Sequence, residues 1–405
     1  MRSAIGRVIA VTVMGATPAL ASPAPATSPA SESLLPPPVP DSAPPLSAPP
    51  PPPPAPVSPG MVDAAKLLNA EVGTRLGVRI QNPTQPDKLD DVGMDGEVEI
   101  FLFGQANHII KWQADFIGSF GTVDHSGHYD TTGSAAVLDL IGRFELHEAL
   151  NLWLGRMVVP VDRSGLSTEW LIAPWLFPGQ FVTGAAPVGA RRGPYGRSDG
   201  VTLWGQLGGG VFKYYLGAYG LSDPLQGPLY SGRLSLSLLS PEPGYGNASS
   251  YFGSKDLLSL GIGLQHQIDG STRINPATDQ PDAWDDFTEL NADLLFEKNL
   301  GPSGVLDLEG AFYKIWGAYE PESVTYFVLA SYLLPIEVGV GRFQPLFRLQ
   351  QGHRRADDGR DTLVDAQLGY IIDGMRARLA LDYQYSDVAG QTGNALLIGV
   401  QLQTR

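Results

Sequence analysis

Beyond Gly73 this chain repeats one pattern: segments of roughly eight to twelve residues in which apolar side chains alternate with polar, charged or small ones. A strand sends successive side chains to opposite faces, so period-two alternation marks a strand whose two faces meet different surroundings. In residues 289–298, Leu290, Ala292, Leu294 and Phe296 share one face while Glu289, Asn291 and Asp293 share the other. In residues 376–385, Ala377, Leu379, Leu381, Tyr383 and Tyr385 oppose Arg376, Arg378, Asp382 and Gln384. The same split sets Ile110, Trp112, Ala114 and Phe116 against Lys111, Gln113 and Asp115, and Leu396, Ile398, Val400 and Leu402 against Gly399, Gln401 and Gln403. Charges recur in mid-segment opposite a clean apolar face. A soluble sandwich would bury that apolar face in a shared core, whereas a transmembrane barrel turns it to lipid and the charges to a wet lumen.

The segments number about sixteen: 74–81, 97–105, 109–118, 135–143, 150–157, 201–208, 211–220, 232–239, 257–267, 289–298, 305–316, 323–334, 342–352, 362–372, 376–385 and 395–404. An even count suits a closed antiparallel barrel, and at this width side chains cannot fill the interior. The expected fold is therefore all-β, a transmembrane antiparallel β-barrel of about sixteen strands around an aqueous channel. Connector lengths alternate, with short 106–108, 209–210 and 373–375 on one side and long 82–96, 119–134 and 268–288 on the other. Residues 240–256 break this rule, being long on the short side, and leave the strand count open by two.

The N-terminal region reads differently. Arg2 and Arg7 precede an apolar stretch from Val8 to Ala16 and then Ala19-Leu-Ala21, the layout of a secretory signal peptide over residues 1–21. Residues 22–60 are dominated by Pro, Ala and Ser, with an unbroken proline run at 49–54. Such a stretch cannot fold into a core and is expected to be a disordered periplasmic linker with the reach to touch peptidoglycan. Residues 61–73 are expected as a short linker or helix, and 74–405 as the barrel. The 405-residue chain has no cysteine, which excludes disulfides and thiolate chemistry. Its net charge of -15 excludes nucleic acid as the partner. The expected partners are outer-membrane lipid and lipopolysaccharide around the barrel and small solutes or inorganic anions within it.

The third outward connection, 158–200, is by far the longest and carries Trp170, Trp175, Phe177 and Phe181. Four large aromatics suit a loop that folds inward, packs on the wall and narrows the lumen. Its charged residues at the constriction would be Arg163, Arg191, Arg192, Arg197 and Asp199. The bases and acid expected to line the pore are Arg75, Arg79, Lys111, Asp115, Arg143, Arg156, Lys213, Arg233, Arg342, Arg348, Arg376 and Arg378. Facing them would be Glu97, Glu99, Asp139, Asp293, Asp307, Glu309, Asp365 and Asp382.

Several stretches between residues 150 and 403 resemble the phosphate-selective porin O and P family of the bacterial outer membrane. They are Leu154-Gly-Arg-Met-Val-Val-Pro160, Gly196-Arg-Ser-Asp-Gly-Val201 with Leu203-Trp-Gly205, and Pro241-Glu-Pro-Gly-Tyr245 with Ser250-Tyr-Phe-Gly-Ser-Lys-Asp-Leu257. Asp293-Leu-Leu-Phe-Glu297 and Tyr370-Ile-Ile-Asp-Gly374 follow in order. The resemblance implies sixteen strands, a homotrimer and a third loop folded into the pore. It does not extend to phosphate selectivity: family members suited to phosphate place lysines at the constriction, and residues 158–200 contain none.

Other motifs carry less. Gly196-Arg-Ser198-Asp-Gly200 fits the letter of a nucleophile elbow, but that turn needs a strand before and a helix after, and strand-like sequence follows here. His125, His128 and Asp130, and the clusters Asp282, Asp285, Asp286 and Asp357, Asp358, Asp361, suit solvated loops as well as metals. Asn247-Ala-Ser249 would matter only in a eukaryotic secretory pathway. No cofactor or metal and no enzyme activity is expected. The reading is a diffusion channel with mild anion preference, and the alternative is a barrel that serves as a cell-wall anchor or adhesin.

Overall fold

The computed structural model describes residues 69–81, 92–125, 128–168, 170–176, 178, 196–221, 227–275 and 280–404. The expected signal peptide and proline-rich linker lie outside the described residues, as do Phe177, Phe181, Arg191, Arg192 and the side chains of His125, His128 and Asp130.

The strands in chain order are β1 (Asn69–Gln81), β2 (Val92–Gln105), β3 (Ile110–His125), β4 (His128–His147), β5 (Leu150–Val158), β6 (Arg197–Leu207), β7 (Phe212–Tyr219) and β8 (Leu229–Leu238). They continue with β9 (Leu257–Asn275), β10 (Gln280–Asn299), β11 (Val305–Trp316), β12 (Glu322–Leu333), β13 (Glu337–Val338), β14 (Gly341–Arg354), β15 (Arg360–Asp373), β16 (Ala377–Val388) and β17 (Gln391–Gln403). β13 is a two-residue piece within one turn, so sixteen of the seventeen strands build the wall. Every pairing is antiparallel between sequence neighbours, and β1 closes the sheet on β17 with Thr74 opposite Leu402 and Ile80 opposite Leu396. Each of the sixteen segments expected from periodicity corresponds to one wall strand. The stretch 240–256 contains no strand, so the count of sixteen stands.

Two boundaries differ from expectation for a physical reason. β1 begins at Asn69, inside the stretch read as linker or helix, because Asn69–Gly73 pairs with Glu99–Phe103 of β2. Residues 119–134 and 268–288, read as long loops, mostly extend the hairpins β3–β4 and β9–β10, with Ser119 paired to Ser134 and Ile274 to Pro281. Beyond the apolar belt both faces are polar, so alternation fades while the backbone still needs its partners.

The polarity of the barrel is inverted relative to a soluble protein. Large apolar residues crowd the outward face, with Leu216 57% and Val328 52% exposed, whereas charged residues fill the buried set, with Glu99 0% and Arg233 2% exposed. A contiguous apolar surface of this extent is stable facing hydrocarbon and not water.

Candidate functional site

Two segments fold into the lumen and meet there. The first is the third outward connection, of which residues 159–168, 170–176 and 178 are described and mostly buried. It opens into a one-turn helix, α1 (Arg163–Ser167), capped by Asp162, whose carboxylate accepts from the Gly165 amide at 2.8 Å and from the Tyr313 hydroxyl of β11 at 2.6 Å. Beyond α1 the loop is held to the wall through its backbone. Arg75 donates to the Trp175 carbonyl at 2.6 Å, Arg378 to the Ala173 carbonyl at 2.7 Å and Arg348 to the Leu176 carbonyl at 3.0 Å. Trp175 also lies under the Arg75 guanidinium, 4.5 Å from its ring. On β17 a Cβ at Gly399 would stand 2.5 Å from the Trp175 ring, so only glycine admits that close approach.

The second segment is residues 239–256, entering from the opposite end. Its Glu242 accepts from both terminal nitrogens of Arg163, at 2.9 and 2.6 Å, and from the Tyr251 hydroxyl at 2.5 Å. Both members of this ion pair are buried. Burial works to raise the Glu242 carboxyl, but the charge and hydrogen bonds of Arg163 outweigh it and hold the group below the usual carboxylate range. Backbone bonds stitch the segments together: the Asn247 amide donates to the Leu166 carbonyl at 3.1 Å and the Ser249 amide to the Leu171 carbonyl at 2.9 Å. Tyr245 stacks on Trp153 of β5 at 4.4 Å between centroids and donates to the Val158 carbonyl at 3.0 Å. Glu297 of β10 accepts the amides of Tyr251 and Gly253 at 2.5 and 2.6 Å.

Beside these contacts, open space remains against β2–β5. A cavity of about 640 Å³ is bounded on the wall by Gln113, Asp115, Asp139, Arg143 and Trp153, and on the inward segments by Leu166, Leu171, Tyr245 and Asn247. A second cavity of about 360 Å³, toward the short-turn end, is lined by His108, Lys111, Glu145 and His147 and shares Arg143, Trp153 and Tyr245 with the first.

The expected site residues divide accordingly. Arg143, Arg197 and Asp115 border the larger cavity and Lys111 the smaller. Arg163 is instead buried as the latch to Glu242. Arg233 holds Asp293 and the Val161 carbonyl, Lys213 donates to Asn247 at 2.7 Å, and Arg75, Arg348 and Arg378 anchor the third loop. Arg79 and Arg342 face inward on β1 and β14, away from both cavities. Three readings are corrected. Arg156, expected to line the pore, and Asp199, expected at the constriction, lie on the outer face: Arg156 shares the outward parity of Leu150, Leu152 and Leu154, stands opposite Leu140 and pairs with exposed Asp199 at 3.5 Å. Arg376 lies in the turn before β16, paired with Asp373, since its strand starts one residue later. Periodicity did not reveal Trp153, Tyr245 and the 239–256 segment; the available signal was that segment's anomalous length.

The fold and lumen define a class: a wide outer-membrane-type β-barrel narrowed by an inward loop. Known structures agree. The chain is similar to Salmonella typhi OmpF in complex with daunomycin, with TM-score 0.57 and 11% identity over 84% of this chain and 99% of that one. It is also similar to a loop L8 deletion mutant of OmpT, an outer membrane protein of Vibrio cholerae, with TM-score 0.51 and 12% identity over 83% and 98%. No protein-family profile matches the chain, and no curated protein matches it in sequence. The shared property is the fold of bacterial outer-membrane porins.

Proposed function

We propose that this chain is an outer-membrane porin, a passive diffusion channel for small hydrophilic solutes and ions. The observation that carries the reading is the inverted polarity of a closed barrel whose charged interior keeps open space against β2–β5. A mild anion preference is part of the proposal, supported by Arg143 and Arg197 at the cavity and by Arg191 and Arg192 in the same loop. Assembly as a homotrimer and a periplasmic placement of residues 22–60 complete it, the first supported by the resemblance to the porin O and P family.

The test is single-channel conductance and reversal potential of the purified protein in a planar bilayer under a chloride gradient, repeated with phosphate. Stable ohmic steps are expected. Replacing Arg191, Arg192 and Arg197 with neutral residues is expected to shift the reversal potential toward cations, and phosphate block would extend the family resemblance to selectivity. Folded protein that does not conduct would refute the channel and favour the anchor.

A further inference from the structure

We propose that the outward face of β11, β12, β14 and β15, at the end of the long connections, is a docking surface for a phosphorylated acyl lipid of the outer leaflet. Its headgroup phosphates meet Lys314, His353 and Arg360, and its acyl chains lie on the apolar belt beneath. The inference rests on the outer-membrane reading above.

Strand register brings the three residues into line. Lys314 stands opposite Val324, Val324 opposite His353, and His353 opposite Arg360, so one cross-strand row holds two cationic side chains with an imidazole between them. Adjacent strands lie about 4.8 Å apart, which spreads the row over roughly 14 Å. The row faces outward: Lys314 shares the parity of exposed Phe312 and Trp316, Val324 that of Val328, His353 that of Phe347, and Arg360 that of Leu368. Acids outnumber bases 42 to 27 in the chain, yet this row contains none. None of its three basic side chains forms an ion pair among the described residues. The acids nearby lie off the row. Asp357 and Asp361 hold Arg354, Asp387 stands opposite Thr362 one row nearer the belt, and Glu320 and Asp358 lie in the turns beyond.

Depth places the row at headgroup level. Tyr332, Phe343 and Tyr370 mark the aromatic rim at the short-turn end, the last two with ring centroids 5.1 Å apart. From Tyr332 to Val324 is about 27 Å of strand, or roughly 20 Å along the membrane normal at a tilt of about 40°. The apolar belt of such a barrel is about 25 Å tall, so the row stands at its far edge, where long basic side chains carry their charge up into the headgroups. The Lys314 ammonium is turned that way, 6.0 Å from the ring of Trp316 two positions nearer the turn. One row below, Tyr326 donates to Gln351 and Gln351 to Thr362 at 3.0 Å, so these polar groups satisfy one another beside the apolar belt. Arg355 braces the platform: it donates to the carbonyls of Ile315 at 3.0 Å and Glu320 at 3.2 Å, which ties the turn after β11 to the turn before β15. Phosphate oxygens accept from all three side chains of the row, and a spread of roughly 14 Å suits a headgroup with two phosphates. A zwitterionic headgroup would bring its own cation against the row.

The test is native mass spectrometry of the purified full protein in detergent micelles, titrated with bisphosphorylated lipid A and with the same lipid stripped of its phosphates. The phosphorylated lipid is expected to bind at least about tenfold more tightly, since each Lys or Arg beside an anionic headgroup contributes about fivefold. Lys314→Gln with Arg360→Gln is expected to weaken its binding by about tenfold or more. Should that variant not fold, Arg360→Gln alone is expected to weaken it about fivefold. Arg376→Gln, an exposed base at the opposite end, is expected to leave binding unchanged. Equal binding of the two lipids, displacement by millimolar inorganic phosphate, unchanged binding in the row variants, or equal weakening by Arg376→Gln overturns the proposal. A protein that conducts without preferring the phosphorylated lipid refutes this inference alone; a protein that does not fold into bilayers refutes the outer-membrane reading as well.

Discussion

Replacing Glu242 with alanine tests whether the two inward segments are held together by their ion pair. Arg163 and Glu242 are each 1% exposed at the side chain, so the variant leaves a guanidinium in a site closed to water. Removing one partner of a buried pair costs about 3–5 kcal/mol, which shifts the ratio of seated to released segment by roughly a hundred- to several-thousand-fold. The barrel ladder does not depend on this contact, so the loss falls on the seating of residues 239–256 and of α1. The expected result is a folded channel with larger conductance and added current noise, because the released segment no longer confines the 640 Å³ cavity. Arg376→Ala is the control: its partner Asp373 is exposed, and surface pairs contribute little. Acid should mimic the substitution. The folded-state carboxyl of Glu242 lies below its ordinary range, so the pair contributes fully above that range and is lost only as the pH falls through the depressed value. Wild-type conductance should therefore hold steady from neutral to mildly acidic solution and rise in strong acid, whereas Glu242→Ala should show no such acid step. An alanine variant with wild-type conductance, noise and pH profile would refute the latch.

Other outcomes follow from the same geometry. Val328→Arg places a charge at the middle of the outward face of β12 and should destabilise the barrel by about 2–4 kcal/mol in reversible folding from urea into vesicles. Gly155→Ala should lower folding yield, since a Cβ there meets the Leu140 carbonyl oxygen at 2.0 Å and φ is 125°, a conformation costing a non-glycine residue about 1–3 kcal/mol. Tyr245→Ala removes the ring stacked on Trp153 between the two cavities, so liposome swelling should show larger uncharged sugars entering faster than through wild type.

The wall was legible because two solvents impose one period. Residues 305–316 were read from the sequence with the bounds they have in the structure, since Leu306, Leu308 and Phe312 face outward while Asp307, Glu309 and Tyr313 are buried within. The reading weakens where that contrast ends, as at the outer parts of β9 and β10, and where a charged residue ends an outward apolar row, as Arg156 does after Leu150, Leu152 and Leu154. It fails for the inward segments because their stability comes from contacts distant in sequence: Arg163 meets Glu242 79 positions away, and Ala173 meets Arg378 205 positions away. No local period encodes such pairs.

That distinction bears on selectivity more than on fold. Counting inward bases and acids treats every lumen charge as a source of field, yet Arg233 is bound to Asp293, Arg348 to Asp365 and Arg163 to Glu242, all buried beneath the inward segments. A charge neutralised at contact distance and shielded from the water path does little to concentrate mobile ions, because its field is cancelled by its partner. What a passing solute meets is the more accessible set on β3 and β4, Lys111 and Arg143, both bridged to Glu145. Substitutions among the anchoring arginines should therefore change seating and conductance with little effect on reversal potential. Substitutions at Lys111 or Arg143 should move reversal potential with little effect on folding. Measuring both quantities for Arg348→Met and Arg143→Met separates the two groups, and equal shifts of reversal potential from both would show that buried pairs still act on the permeating ion.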